Sequence, residues 1–433
     1  MKKIKSACSL AVLGVLSSLT FNAQAASATQ IEKANQQVKE KLIEWRRHLH
    51  EYPELSNREF ETAKYVAKHL KSLGLEVQTG VAHTGVVAKL KGDKPGPLIA
   101  LRADMDALPV TEQVDIPFAS KQKATFRGQD VGVMHACGHD AHVAILMAVA
   151  ESLVKLKSEL AGEVLFIFQP AEEGAPAGEE GGAELMLKEG LFAQKPEAVF
   201  GLHVTSSLNV GKVGLRSGPL MASSDKFTIK VKGRQTHGSR PWNGVDPIVA
   251  SSQIIMATQT IASRQVDVTK APSVISFGAI KGGVRNNIIP DEVEMVGTIR
   301  TFDQDMRADI KDRIKHTAEL TAQAAGAQAD VHIDHGYPVT VNNPELTAAM
   351  MPTLEAVAGK DNVVITDLIT GAEDFSYYAL ETPGLFFFLG ITPQDQDAKS
   401  APSNHSPHFY IDEQGLPLGV SALTQLVFDY LER

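Results

Sequence analysis

The stretch His135-Ala-Cys-Gly-His-Asp-Ala-His142 concentrates side chains that bind metal ions: three histidines, one cysteine and one aspartate. Thiolate, imidazole and carboxylate together suit zinc or a neighbouring transition metal. On a helix, Cys137 and His139 would point in nearly opposite directions because they are two residues apart. Gly138 between them favours a turn instead. We therefore predict that Cys137 and His139 chelate a metal ion from a turn.

A helix is expected to begin just after this turn, at about Ala141, with Asp140 available as its N-cap. Cys137 would then lie ahead of a helix N-terminus, where the helix dipole favours the thiolate. An alternative stays open, in which the helix begins earlier and one of its faces carries three histidines at positions i, i+4 and i+7: His135, His139 and His142.

Acidic and histidine side chains also follow three apolar runs that are typical of buried strands. Residues 98–101 precede Asp104 and Asp106, residues 164–168 precede Glu172 and Glu173, and residues 199–202 precede His203. Ligands collect beyond the carboxyl ends of strands in an open parallel sheet. A solvated loop would explain any one of these coincidences, but a shared metal site explains all of them.

Glu172 and Glu173 are adjacent, so on extended backbone their side chains point to opposite sides. One carboxylate can bind a metal ion while the other holds the attacking water as general base. The alternative is a structural role at the start of the loop over residues 174–182.

The first 25 residues are typical of a cleaved secretory signal, with three lysines, a short apolar run and the small-residue site Ala23-Gln-Ala25. We therefore expect an exported protein, periplasmic or secreted. Cleavage removes Cys8 and the three lysines, which changes the formal net charge from −9 to −12 and leaves Cys137 as the single cysteine. An acidic chain without a basic stripe is not expected to bind nucleic acid or, after cleavage, a membrane.

The hydrophobic pattern predicts two domains. A first helix is expected from about Ile31 through His50, and apolar strands then alternate with helices, as in a mostly parallel sheet with helices on both faces. Between residues 218 and 335 the order becomes β-α-β-β-α-β, the split pattern of a ferredoxin-like α+β sandwich. We predict an α/β catalytic domain over residues 26–217 and 336–433, with residues 218–335 inserted as a lid or dimerisation domain.

These motifs together resemble the co-catalytic metallopeptidase family of aminoacylases, carboxypeptidases and deacylases. Within it, the chain is most similar to the amidohydrolase subfamily of hippurate hydrolases, indole-acetyl-amino-acid hydrolases and bacterial N-acyl-amino-acid amidohydrolases. The matching stretches span nearly the whole mature chain in order: Trp45–Ser56, Leu101–Pro109, Met134–His142, Gln169–Gly174, Gly201–Val204, Asn287–Pro290, Gly371–Phe375 and His405–Pro407.

The resemblance implies a site for two divalent metal ions, zinc or else manganese, cobalt or nickel. Cys137 would bridge the two ions. His139 and His203 would complete one of them, and Glu173 and His405 the other. The motif places its C-terminal ligand two residues before a proline, which favours His405 over His408.

The resemblance also assigns roles outside the ligand set. Glu172 would act as general base and then as general acid, and Asp106 would orient a ligand. In the inserted domain, His237 would stabilise the oxyanion, in several relatives across a dimer interface, and Asn287 and Arg300 would bind substrate. The family's usual Gly-Gly-His is Gln-Thr-His here, which leaves the local backbone at His237 open.

The predicted reaction is metal-dependent hydrolysis of the amide bond of N-acyl amino acids or short peptides, by a possible homodimer. Two other readings stay open. A non-catalytic metal or ligand carrier would retain Cys137 and His139 but would not need Glu172. A thiol oxidoreductase centred on Cys137 would work without metal.

Overall fold

The computed structural model describes residues 26–433, so the predicted signal segment lies outside the described residues. Its α-helices are α1 (Ala28–Gln36), α2 (Lys39–Glu51), α3 (Phe60–Ser72), α4 (His139–Lys155), α5 (Gly182–Lys188), α6 (Pro247–Thr260), α7 (Gln304–Ala324), α8 (Pro344–Ala358), α9 (Phe375–Glu381) and α10 (Leu416–Leu431). Among these helices, none combines the length and the apolar character needed to cross a membrane.

The strands are β1 (Glu76–Val81), β2 (Gly85–Lys91), β3 (Lys94–Asp104), β4 (Lys123–Phe126), β5 (Gln129–Gly132), β6 (Ala161–Gln169), β7 (Val199–Asn209), β8 (Val213–Leu215), β9 (Gly218–Met221), β10 (Asp225–Lys232), β11 (Thr236–His237), β12 (Ser273–Gly282), β13 (Ile288–Ile289), β14 (Glu292–Thr301), β15 (Gln328–Asp334), β16 (Thr340–Asn342), β17 (Val363–Ile365) and β18 (Gly384–Thr392).

The large domain is built on an eight-stranded sheet in the order β1-β2-β6-β3-β7-β18-β8-β17, whose central strands β6, β3, β7 and β18 run parallel. Strand β6 shows why helices cover both faces. Val164 and Phe166 are buried in the cluster formed with α2, α4 and α10, whereas Leu165 and Ile167 are buried in the cluster formed with α5 and α9, since successive side chains of a strand point to opposite faces. The predicted α/β class is confirmed.

The small domain contains a four-stranded antiparallel sheet, β12-β14-β10-β15, with α6 and α7 packed against it. Its elements follow one another as β10-α6-β12-β14-α7-β15, which is the predicted β-α-β-β-α-β order. The exact limits, residues 218 and 335, stay a prediction. Strand β9 lies inside those limits, yet it pairs with β16, and its Leu220 and Met221 are buried with side chains of the large domain.

Two local expectations were wrong. The first predicted helix is two helices, α1 and α2, with Gln37 and Val38 between them. Helix α4 begins at His139 rather than at Ala141, because Gly138 adopts a left-handed φ of 94° and is itself the N-cap residue. A Cβ at Gly138 would collide with the side chain of Val204, so the close approach of these two segments requires glycine.

Asp140 is therefore not the N-cap of α4. It lies within the first turn, fully buried, 2.9 Å from Nε of Arg46 and 2.8 Å from Nδ1 of His50. These contacts fasten the start of α4 to α2, which carries both partners. The turn that holds Cys137 and the first residue of α4 is thereby tied to the rest of the large domain.

Candidate metal centre

The thiol of Cys137 lies between two imidazoles. Its Sγ is 3.3 Å from Nε2 of His203 and 3.2 Å from Nε2 of His405, and the latter nitrogen is 3.1 Å from Oε1 of Glu173. Two groups of potential ligands share this thiol: Cys137 with His139 and His203, and Cys137 with Glu173 and His405. The structure thus brings together all five predicted ligands, divided as the bridging arrangement requires. Their role as ligands remains a prediction.

The five side chains come from four segments at one end of the sheet. His203 lies within β7, and Glu173 follows the end of β6. Cys137 precedes α4, His139 is the first residue of α4, and His405 lies in the loop before α10 with a left-handed φ of 72°. Parallel strands direct their carboxyl ends to the same edge, which explains the convergence.

The protonation state of His203 fits metal binding. Nδ1 of His203 donates a hydrogen bond to the carbonyl oxygen of Val204 at 2.7 Å, so the lone pair of Nε2 faces Cys137. Burial, followed by the charge of His142, lowers the pKa of His203 well below its ordinary value and keeps the ring neutral. A ligating histidine normally has its other nitrogen fixed in this way.

Unpartnered polar atoms also fit a bound cation. Within the described residues, Nε2 of the fully buried His139 has no hydrogen-bond partner, and Oε1 of Glu173 has none besides its 3.1 Å approach to Nε2 of His405. Burial and the carboxylates of Glu173 and Glu172 raise the pKa of the Cys137 thiol well above its ordinary value, which outweighs the expected help from the helix dipole. Positive charge at this position would compensate the thiolate and the carboxylates together, and the donor set suits zinc or a similar ion.

Asp106 holds three of these groups in place. Its Oδ1 lies 3.3 Å from Nδ1 of His139 and accepts a hydrogen bond from the amide of Glu172, while its Oδ2 accepts one from the amide of Glu173, both at 3.0 Å. Ser56 donates a further bond to Oδ2 at 2.7 Å. Burial alone would raise the pKa of Asp106, but the hydrogen bond and the charge of His139 lower it overall. The predicted orienting role agrees with these contacts.

Glu172 lies beside the predicted ligands and forms a potential ligand group with His139 and Glu173. Its Oε2 lies 3.9 Å from Nε2 of His139, and its carboxylate also clusters with those of Glu373 and Asp374. Burial, followed by the neighbouring carboxylates of Glu373 and Glu173, raises the pKa of Glu172 well above its ordinary value. A carboxyl group with a raised proton affinity that lies beside the ligands, but outside both thiol-sharing groups, is suited to proton transfer.

The other histidines near the cluster have different surroundings. His142 is buried, with Nδ1 bonded to Asp104 and Nε2 accepting from the amide of Val204 at 2.9 Å, so both nitrogens are occupied. His135 is also buried and belongs to neither thiol-sharing group. The three-histidine alternative therefore receives no support from the geometry. His408, three residues beyond His405, lies exposed in the same loop.

A buried charge network supports the site from behind. Arg102 on β3 is fully enclosed and lies 2.7 to 2.9 Å from carboxylate oxygens of Asp104, Glu373 and Asp374. Burial and nearby carboxylates raise the pKa of Glu373 to about 8, although Arg102 opposes the shift. Glu373 and Asp374 lie in the matching stretch Gly371–Phe375, but no sequence pattern predicts a role for either residue. A lone arginine at the end of an apolar strand was the available signal.

Two further residues that support the site, Asn404 and Tyr337, were not predicted from the sequence. Asn404 donates hydrogen bonds to the carbonyl oxygens of Cys137 and Val204, each at 3.1 Å, and so ties together three ligand-bearing segments. Tyr337 donates a hydrogen bond to the carbonyl oxygen of Glu172 at 2.6 Å. The hydrogen bonds of both residues join positions far apart in the chain, so no local sequence pattern predicts them.

The predicted substrate-binding residues lie in the small domain. His237 on β11 pairs with Ile288 on β13, and the amide of Gly238 donates to the carbonyl oxygen of Asn287 at 2.8 Å, so His237 and Asn287 are neighbours. Both are exposed. Arg300, on β14, is half-buried. The groups of potential metal ligands found among residues 26–433 include none of these three residues.

A cavity of about 430 Å³ opens beside the cluster. Apart from the site residues, it is lined by Met221, Ile369 and Phe388 and by the small polar side chains of Thr205 and Ser207. It therefore offers an apolar chamber directly beside carboxylates and imidazoles.

A family model described as peptidase family M20/M25/M40 matches residues 100–429. The chain belongs to this family. The predicted family resemblance and the prediction of a metal-dependent amidohydrolase are confirmed.

Relatives of this M20 hydrolase carry several activities in their names. It is 44% identical over 405 residues to thermostable carboxypeptidase 2 of Saccharolobus solfataricus, covering 92% of this chain and 98% of that protein. It is 40% identical over 379 residues to N-acetyl-L-cysteine deacetylase of Bacillus subtilis, covering 88% and 85%. A solved structure of a dinuclear metal-binding peptidase of the M20 family from Bacillus subtilis is 35% identical, with a TM-score of 0.75 and coverage of 92% and 99%.

Proposed function

We propose that this M20 hydrolase cleaves the amide bond of N-acyl amino acids or short peptides, with Glu172 as the proton-transferring residue and two divalent ions bridged by Cys137. The observation that carries the proposal is the position of Glu172, a buried carboxylate beside two ligand groups that share one thiol. When bound, such ions lower the pKa of water and polarise a carbonyl group.

The residues divide the remaining work. Glu172 accepts a proton from the attacking water as the new C–O bond forms, and it donates that proton to the nitrogen when the C–N bond breaks. Asp106 fixes the position of His139 relative to the loop that carries Glu172 and Glu173. His237 and Asn287 stabilise the oxyanion and hold the substrate, and Arg300, on β14 of the same domain, also binds substrate.

The cavity supports a substrate with one apolar group. Met221, Ile369 and Phe388 would receive the acyl group or an apolar side chain beside the scissile bond. The names of the relatives, a carboxypeptidase and an N-acetyl-L-cysteine deacetylase, support a substrate with a free carboxylate next to the cleaved amide. If residues 1–25 direct export, this hydrolysis takes place in the periplasm or outside the cell.

Removal and replacement of the metal tests the proposal. Protein stripped by a chelator is expected to lose hydrolysis of a panel of N-acyl amino acids and dipeptides, because the water then lacks activation. Reloading with Zn, Mn, Co or Ni, followed by metal analysis and the same assay, should restore activity and identify the preferred ion. Hydrolysis that survives chelation would favour thiol chemistry at Cys137, and a reloaded protein inactive on the whole panel would favour a carrier.

We also propose that the small domain forms a homodimer. Strand β12 is an edge of its sheet, and Ile280 on it is 54% exposed. The neighbouring helix α6 exposes Val249 and Met256, one heptad apart on the same face, with Met256 71% exposed. An unpaired strand edge beside an exposed apolar helix face is a surface that a second copy would cover.

The double substitution Val249→Glu and Met256→Glu is expected to convert a dimer into a monomer, because it would bury charges between like surfaces. Sedimentation velocity over a range of concentrations measures the change. Leu320→Glu is the control, since Leu320 is 63% exposed but lies on α7. A wild-type chain that sediments as a monomer at every concentration, or a double variant that still dimerises, would remove this interface from the proposal.

A further inference from the structure

Tyr337 lies on the linker by which the chain returns from the small domain to the large one, between β15 and β16. This linker runs beside the outgoing one. The amide of Ser224 donates to the carbonyl oxygen of Tyr337 at 2.9 Å, and the amide of Tyr337 donates to Oγ of Ser224 at 3.3 Å. Tyr337 is thus bonded to both linkers through its backbone and to the loop of Glu172 through its hydroxyl.

Arg307, on helix α7 of the small domain, binds to both of these linkers. Nη2 of Arg307 donates to the carbonyl oxygen of Gly336 at 2.6 Å, and its Nε donates to Oδ2 of Asp225 at 2.8 Å. A Cβ at Gly336 would collide with the carbonyl oxygen of Ser224, so the two linkers pass at a distance that only glycine allows. Any rotation of α7 relative to the large domain must therefore displace Gly336 and Tyr337.

These contacts lead from Arg307 through Gly336 and Tyr337 to a single peptide group, the one between Glu172 and Glu173. Its carbonyl oxygen accepts from the hydroxyl of Tyr337 at 2.6 Å, and its amide donates to Oδ2 of Asp106 at 3.0 Å. The large domain therefore holds the nitrogen side of this peptide, while the linker holds the oxygen side. The preceding residue, Ala171, has a left-handed φ of 54°, and its amide is held by Glu59.

We propose that Tyr337 is a positioning residue that couples the orientation of the small domain to the carboxyl group of Glu172. Because the peptide after Glu172 is held from both sides, loss of the tyrosine hydroxyl frees it to rotate and displaces the carboxyl group from its position for proton transfer. The proposal rests on the proposed role of Glu172 in the reaction. It adds a residue of the cavity wall that belongs to neither group of thiol-sharing ligands and that sets the geometry of Glu172 through a backbone hydrogen bond.

The test is Tyr337→Phe, which keeps the ring and removes only the hydroxyl. The expected result is a fall in kcat of about tenfold, in line with a buried carbonyl left without its partner. Metal content should stay close to that of the wild type, because the predicted ligands are unchanged. KM should change less than kcat, because phenylalanine keeps the ring that Tyr337 contributes to the cavity wall. Tyr378→Phe is the matched control and should leave kcat unchanged, since the buried hydroxyl of Tyr378 contacts only the sulfur of Met186, at 3.3 Å, among the described residues.

Arg307→Lys tests the same chain of hydrogen bonds from its small-domain end. It should lower kcat in the same direction, and the double variant with Tyr337→Phe should show little further loss, because both substitutions act on one path. Wild-type kcat in Tyr337→Phe overturns the proposal, as does a fall in kcat matched by an equal loss of bound metal. If Glu172→Gln abolishes hydrolysis while Tyr337→Phe does not affect it, only this inference fails. If Glu172→Gln remains active, the proposed function fails first.

Discussion

Glu172→Gln is expected to reduce kcat on the order of 10³-fold while the protein keeps both metal ions. Glutamine has nearly the same shape as glutamate but cannot accept the proton of the attacking water, and general acid–base catalysis contributes about 10² to 10⁴-fold. Glu172 forms a potential ligand group with His139 and Glu173, but it belongs to neither group that contains the thiol and is not one of the five predicted ligands, so metal content should not fall. Steady-state kinetics and elemental analysis of the same preparation measure the two effects.

The matched control is Glu179→Gln in the same loop. Glu179 accepts hydrogen bonds from Arg58 and Asn57 at the protein surface and is not among the groups of potential ligands found in the described chain. Its substitution should leave kcat and metal content close to the wild-type values. A Glu172→Gln enzyme that keeps more than about a tenth of wild-type kcat would contradict general-base catalysis by this residue.

Cys137→Ala is expected to abolish binding of both metal ions, whereas His405→Ala should weaken only one. The difference follows from the geometry, because Cys137 belongs to both ligand groups and His405 to one. The thiol is also buried between Nε2 of His203 and Nε2 of His405. Metal content after extensive dialysis, measured by elemental analysis, reports the stoichiometry, and hydrolysis should be lost in both variants.

His408→Ala is the matched control for His405→Ala. His408 is exposed in the same loop, three residues further on, and its substitution should change neither metal content nor activity. Retention of both ions by Cys137→Ala would exclude a bridging thiolate. Loss of metal in His408→Ala with retention in His405→Ala would reverse the assignment of the C-terminal ligand.

The architecture could be predicted because it depends on local periodicity. The apolar run Val164–Phe168 is strand β6, and the charged amphipathic run from Gln304 is helix α7. The errors arose where tertiary contacts override local signals. Asp140 resembles a helix cap in sequence, but two partners on α2, Arg46 and His50, hold it inside the first turn of α4.

The convergence of the candidate ligands could also be anticipated, since glutamate and histidine follow apolar strands and Cys137 precedes a helix at the same edge of the sheet. What supports them could not. Tyr337 and Asn404 act through hydrogen bonds to backbone carbonyl oxygens more than 160 residues away in the chain. Such bonds do not depend on the type of the accepting residue, so they leave no pattern that can be paired in a single sequence.

The adjacent linkers at Ser224 and Tyr337 have a consequence for the history of this architecture. Because the chain leaves and re-enters the large domain at nearly the same point, the inserted segment can be lengthened, shortened or exchanged without moving the strands that carry the ligands. Recombination could thus replace the module that carries His237 and Asn287 as one block while the strands that carry the predicted ligands are kept.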